Sequence, residues 1–173
     1  MGNITFVIGG ARSGKSTYAL GLGTKMPGRK GFVATAEVLD EEMKERIYLH
    51  QKTRPLEWET IEEPIALSER LQKIDGSYDV VIVDCLTLWL SNMLEKGEDI
   101  EPIITAEVEN ICKTLRMVSY KIIIVSNEVG QGIIPENKLA RLFRDVSGRM
   151  NHQLASTADE VYLVTCGIPL RIK

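Results

Sequence analysis

Residues 9–16 read Gly9-Gly10-Ala11-Arg12-Ser13-Gly14-Lys15-Ser16 and fill every fixed position of the pattern G-x-x-x-x-G-K-[ST]. The run before them, Ile4-Thr5-Phe6-Val7-Ile8, is short, apolar and partly β-branched, as a buried strand requires, and Lys15 to Leu22 can open a helix. Glycines between strand and helix let the backbone curl with its N–H groups pointing inward, and the helix N-terminus adds partial positive charge at the same point. The stretch is therefore a phosphate-binding loop, with Lys15 placed to bridge β- and γ-phosphate oxygens and the Ser16 hydroxyl to ligate Mg²⁺.

The rest of the chain continues in alternation. Phe32-Val33-Ala34-Thr35-Ala36 predicts a second strand, and Trp58 to Glu62 a third, ending on a carboxylate. Tyr78 to Asp84 is the clearest buried strand: a run of aliphatics closed by Asp84, the Walker B pattern. Asp84 fits a Mg²⁺ held through its water shell opposite Ser16, the plainer alternative being a cap for the helix that begins near Leu86. Ile122 to Val125 is a further buried strand. Ser126-Asn127-Glu128, Gly130-Gln131-Gly132 and Pro135 then make either a substrate loop or a solvent-facing connector.

Helices are expected from an Asp40 N-cap to His50–Lys52, over Pro64 to Leu71, Leu86 to Leu94, Ile103 to Val118 and Glu136 to Ala155. The last of these sets Leu139, Leu142, Phe143 and Val146 on an apolar face, with mostly solvated charges around it. A terminal hairpin is expected around Cys166-Gly167-Ile168. The pattern predicts an α/β, mainly parallel, doubly wound sheet with a C-terminal antiparallel hairpin, and with its phosphate loop a P-loop NTPase fold of the RecA-like kind.

A chain of 173 residues without a Pro/Gly/Ser-rich tract or repeat reads as a single nucleotide-binding and catalytic domain over 1–173. A net charge of −3 gives no general attraction to nucleic acid or anionic lipid, so anion binding must be local. Cys85, Cys112 and Cys166 are widely spaced and odd in number; they form no disulfide framework or metal pair and read as small buried apolar residues. The longest apolar tract, Val80 to Leu90, is broken by Asp84 and Thr87, so no membrane span is expected. The start of the chain lacks the features of a signal peptide, and a cytoplasmic protein is the default.

Met43, Ile47 and His50 fall on one face of the second helix, with Arg46 one turn before the histidine. Pattern alone leaves His50 open: a helix-end imidazole bonded to a carbonyl, or a reactive group.

The order of these residues resembles a known family. The phosphate loop, Ala34-Thr35-Ala36, Asp40-Glu41-Glu42-Met43, Arg46-Ile47, His50 and Arg54-Pro55 are followed by Trp58, Glu62 and Asn127-Glu128-Val129-Gly130. Then come Ile134-Pro135-Glu136-Asn137, Phe143-Arg144-Asp145, Gly148-Arg149, Asn151 and Ala158-Asp159-Glu160-Val161. Together they look like the bifunctional adenosylcobinamide kinase/adenosylcobinamide-phosphate guanylyltransferases of cobalamin biosynthesis.

The resemblance implies phosphorylation of adenosylcobinamide, then transfer of GMP from GTP to that phosphate through a guanylylated histidine, which maps onto His50. It implies GTP and ATP as substrates with Mg²⁺, and nucleotide contacts from Gly9, Gly10, Ala11, Arg12, Ser13, Gly14, Lys15, Ser16, Thr35, Ala36, Glu37, Lys52, Thr53, Arg54, Pro55, Glu62 and Asp84. Lys15 joins His50 as catalytic, Ser16 and Asp84 hold the metal, and a homotrimer is implied. Asp84 stands where some relatives carry Glu. Two other readings compete: a monofunctional small-molecule kinase with a structural His50, and a RecA-type nucleic-acid-binding module, against which the acidic net charge argues.

Overall fold

The computed structural model describes residues 2–37, 41–52, 54–97 and 100–173; the side chains of Arg46 and His50 lie outside the described residues. The proposed Asp40 cap and Thr53 lie outside them as well. Seven strands form one sheet in the order β3-β2-β4-β5-β1-β6-β7: β1 Ile4–Gly9, β2 Lys30–Ala34, β3 Trp58–Glu62, β4 Val80–Asp84, β5 Lys121–Asn127, β6 Glu160–Thr165 and β7 Ile168–Arg171. Strands β1 to β6 pair in parallel and β7 runs antiparallel to β6. The helices are α1 Lys15–Thr24, α2 Glu41–Lys52, α3 Leu67–Lys73, α4 Leu86–Leu94, α5 Glu101–Met117 and α6 Lys138–Thr157.

The central strands are mostly apolar because both faces are covered, and side-chain alternation divides them between two cores. Val7, Phe32, Trp58, Val80, Ile82, Ile123 and Val125 pack with Ala19 of α1. Phe6, Val33, Val81, Val83, Ile122 and Ile124 pack on the other face with Leu67, Leu71, Trp89, Leu90, Ile104, Ile111, Leu115, Met150 and Leu154. Fully buried aliphatics of this kind contribute roughly 1.5–3 kcal/mol each. Helices α3 to α6 thus cover one face and α1 the other. From β1 to β2 and from β2 to β3 the chain moves in the same direction across the sheet. Right-handed crossover connections therefore place α2 on the face of α1.

Several boundaries differ from expectation for local reasons. Strand β2 ends at Ala34, not Ala36, because the Thr35 hydroxyl is bonded to Cys85 across the sheet. Helix α3 begins at Leu67, not Pro64: the Glu63 carboxylate first accepts from the amides of Ile65 and Ala66 at 3.3 and 2.8 Å. Helix α6 begins after Asn137, whose side chain accepts from the Ala140 amide. Leu139, expected on the apolar face of α6, is 59% exposed. Cys85 is buried, but Cys166 is exposed: it sits with Gly167 in the β6–β7 turn, both at positive φ (50° and 77°), as a two-residue hairpin of this hand demands. No described helix is long and apolar enough to cross a membrane.

Candidate active site

At the end of β1 the chain turns through the phosphate loop. Gly14 takes φ 93°, a conformation open to glycine, and Tyr18 donates from its amide to the Gly14 carbonyl at 2.9 Å as α1 begins. The Lys15 ammonium is largely buried and donates to the Gly10 carbonyl at 3.3 Å, folded back over the loop. The loop is braced from outside by the terminal hairpin, since the Gly167 amide donates to the Ser13 carbonyl at 2.8 Å. Ala11 and Arg12 are exposed at the loop's tip.

Alternation decides which strand ends face this loop. Asp84 has the parity of Val80 and Ile82, and Glu62 that of Trp58, so both lie on the face of α1. Ala34 pairs with Glu62 on one side and Asp84 on the other. The carboxylates therefore stand in one row, about 10 Å apart by twice the inter-strand spacing. Among the described residues neither the Asp84 carboxylate nor the Ser16 hydroxyl has a hydrogen-bond partner. That pairing suits a hard cation that takes its remaining ligands from phosphate and water. No cluster of three or more His, Cys, Asp or Glu side chains able to hold a metal is found among the described residues.

Arg54, just beyond α2, reaches onto the same face. Its guanidinium stacks 3.5 Å from the Phe32 ring centroid and donates to the Thr60 hydroxyl at 2.7 Å, while its Nε is enclosed without a partner. Burial pushes the guanidinium pKa down, and the nearby Asp84 charge acts in the opposite sense. Beside Asp84, burial pushes the Cys85 thiol up to about 11, so this cysteine is a neutral packing group and no nucleophile.

The residues singled out in the sequence are placed as follows. Gly9, Ser13 and Lys15 are buried, Gly14 and Ser16 partly so, and Gly10 opens to solvent. Thr35 is fully buried: its hydroxyl is committed to Cys85, and its carbonyl accepts from Asn92 at 2.7 Å. Ala36 and Glu37 are partly exposed beyond it, and Glu62, Lys52 and Pro55 are exposed. Lys52 rests its ammonium 4.4 Å from the Tyr48 ring centroid. His50 belongs to the last turn of α2. Lys15, Ser16, Arg54, Glu62 and Asp84 thus share one face of the sheet's carboxyl edge.

Sequence reasoning missed a buried polar cluster beneath that edge. The Ser126 hydroxyl donates to Asn151 Oδ1 at 2.8 Å and lies 3.3 Å from the Thr87 hydroxyl. Thr87 accepts from the Asn127 amide at 2.7 Å, and Asn151 donates to the Asn127 carbonyl at 3.0 Å. A polar residue ending a buried strand, as Ser126 and Asn127 do, was the available signal. Beside this edge a groove of about 790 Å³ runs between the 130–134 loop and α6, lined in part by Ile134, Arg144, Gly148, Arg149 and His152.

Fold and site together define a P-loop NTPase of the α/β class, RecA-like in its parallel sheet, with β5 set between the phosphate-loop strand and the Asp84 strand. A solved ATPase from the type III secretion system of pathogenic bacteria shares this fold at a TM-score of 0.54 and 12% identity, over 95% of this chain and 51% of that one. The chain belongs to the cobinamide kinase/cobinamide phosphate guanyltransferase family, whose model matches residues 5–172. It is similar to the bifunctional adenosylcobalamin biosynthesis protein CobU of Escherichia coli (strain K12), 39% identical over 96% of this chain and 98% of the relative. The CobU of Salmonella typhimurium matches to the same extent, and CobP of Pseudomonas aeruginosa is 36% identical over 96% of this chain and 95% of its own length.

Proposed function

We propose that a single domain carries both reactions of its family. In the first, the hydroxyl of the aminopropanol arm of adenosylcobinamide attacks the γ-phosphorus of ATP or GTP; the bond to the bridging oxygen breaks, and the nucleoside diphosphate leaves. In the second, the neutral His50 imidazole attacks the α-phosphorus of GTP and pyrophosphate leaves. The acceptor phosphate then displaces the imidazole, giving adenosylcobinamide-GDP and restoring His50. Phosphate-loop amides and Lys15 neutralise the charge that builds on the phosphates, while Arg54 and Glu62 bound the nucleotide on the far side. Ser16 and Asp84 would hold Mg²⁺, which when bound draws further negative charge from the phosphate oxygens.

The observation that supports this reading is the strand order, which by the right-handed crossover rule sets α2 on the same face as the phosphate loop. The helix bearing His50 follows β2 in the same direction of travel that puts α1 there, and Arg54 at its end stacks on the α1-side core. We assign the large corrinoid acceptor to the groove of about 790 Å³ beside the 130–134 loop, a reading supported by its size and by the loop's place after the carboxyl end of β5. We take the enzyme to work in the cytoplasm as a homotrimer, as its family resemblance implies; the exposed Ile133, Ile134 and Leu139 support contact with a further copy of the chain.

The test is incubation with GTP radiolabelled at the α-phosphate. Wild type should acquire an acid-labile label and lose it to cobinamide phosphate, and His50→Ala should bind GTP without labelling. An undiminished adduct in His50→Ala rejects His50 as the nucleophile, and an unlabelled wild type that still phosphorylates cobinamide leaves a monofunctional kinase.

A further inference from the structure

Asn127 is the last residue of β5, the strand inserted between β1 and β4. It pairs with Gly9, the first residue of the phosphate loop, and the next amide, that of Glu128, donates to the Gly9 carbonyl at 3.0 Å. Ile123 and Val125 of the same strand face the α1-side core, so alternation sends the Asn127 side chain to the face that carries Lys15, Ser16 and Asp84.

Its backbone is held unusually firmly. The Thr87 hydroxyl of α4 accepts from its amide N–H, and Asn151 from α6 donates to its carbonyl. Both side chains are buried, and both are tied to Ser126 on the opposite face. A closed network of buried polar groups fixes position as well as energy, and the position fixed here is that of residue 127.

The side chain itself is handled in the opposite way. Its Oδ1 is enclosed without a hydrogen-bond partner, while its Nδ2 makes no hydrogen bond among the described residues and is not enclosed. An asparagine kept for structure satisfies its amide; this one leaves a buried acceptor unmet, which is destabilising. What the residue gains must come from the open –NH₂, a neutral donor presented beside a phosphate-binding loop.

Resting on the kinase reading above, we infer that Asn127 is a catalytic residue of the phosphoryl-transfer step. Its amide –NH₂ donates to a non-bridging oxygen of the terminal phosphoryl group as that group passes to the acceptor hydroxyl. The donor is preorganised by Thr87 and Asn151, so its bond strengthens as charge shifts in the transition state without any cost of reorientation. Guanylyl transfer breaks a bond at the α-phosphorus, two bridging oxygens away from the γ-phosphorus that this donor serves, and depends on it much less.

The experiment compares wild type, Asn127→Ala and the isosteric Asn127→Asp in both reactions, with melting temperature and nucleotide binding measured in parallel. Asn127→Ala should lower kinase kcat by roughly 10- to 100-fold, with nucleotide KM and the rate of guanylyl-adduct formation within about 3-fold of wild type. Asn127→Asp should lower kinase kcat further, since it exchanges the donor for a negative charge. Kinase kcat unchanged in Asn127→Ala overturns the inference, as does a parallel fall of both reactions with loss of nucleotide binding. A wild type inactive in both reactions removes the underlying reading and this inference with it; an active wild type without the selective loss removes this inference alone.

Discussion

The Thr35 hydroxyl donates to the Cys85 carbonyl at 2.7 Å while accepting from the Cys85 amide at 2.9 Å. One buried side chain thereby ties the end of β2 to the residue after Asp84 and sets where that carboxylate stands. Thr35→Val keeps the shape but leaves the buried Cys85 amide unpaired, the Cys85 carbonyl keeping only the Trp89 amide, and should destabilise the fold by about 1–3 kcal/mol. Urea unfolding measures the loss, and Thr35→Ser should recover most of it.

Gly9 and Gly10 make a matched pair of tests. A Cβ on Gly9 would lie 2.3 Å from the Val164 carbonyl oxygen and 2.6 Å from Ser13 Oγ, whereas one on Gly10 meets nothing within 4 Å. Gly9→Ala must shift backbone and should lower both melting temperature and nucleotide affinity. Gly10→Ala should melt as wild type does, so any loss of nucleotide binding by calorimetry reports only the ligand's own approach to the loop.

Gly148 faces open space in the wall of the groove beside α6. Gly148→Ala should stabilise the helix by about 0.5–1 kcal/mol through its better helix propensity. Gly148→Leu should fold equally well but occupy the groove, raising the KM for the corrinoid acceptor about 10-fold or more while leaving guanylyl-adduct formation intact. Acceptor titration of the two variants separates blockage from damage.

The cysteines should respond to pH and to alkylation in different ways. Burial raises the Cys85 thiol to about 11 from an ordinary value of 9.0, so the folded state holds this proton more tightly than the unfolded state. The stabilisation is fully present below pH 9 and is lost as the pH rises through about 11, at roughly 1.4 kcal/mol per pH unit in that window. Urea titrations across the window should show a shallower fall for Cys85→Ala. At neutral pH, iodoacetamide should modify the exposed Cys166 in the native protein and leave Cys85 unmodified until denaturant is added.

The elements that follow from local pattern were legible in the sequence. The glycine loop, the aliphatic run ending at Asp84 and the alternation of strand and helix all depend on near neighbours, and the sheet appears as expected. What could not be read were choices made by distant partners. Thr35 leaves the strand because Cys85 claims its hydroxyl, and Leu139 is exposed because no described element packs over the start of α6 there. Thr87 and Asn151 converge on Asn127 from separate helices, with no periodicity to announce it. Parity within β3 and β4 let Glu62 and Asp84 be set in one row once the register was known, but that register is a property of the assembled sheet.

The first strand made is flanked on both sides by strands made much later, β5 and β6, and its loop is clasped by the turn that follows β6. A nascent chain carrying only its first half therefore has no finished grip for a triphosphate, however complete the motif looks on paper. Closing such long-range pairings is slow, and nucleotide present during refolding should act late, trapping the last stage of assembly without speeding the first.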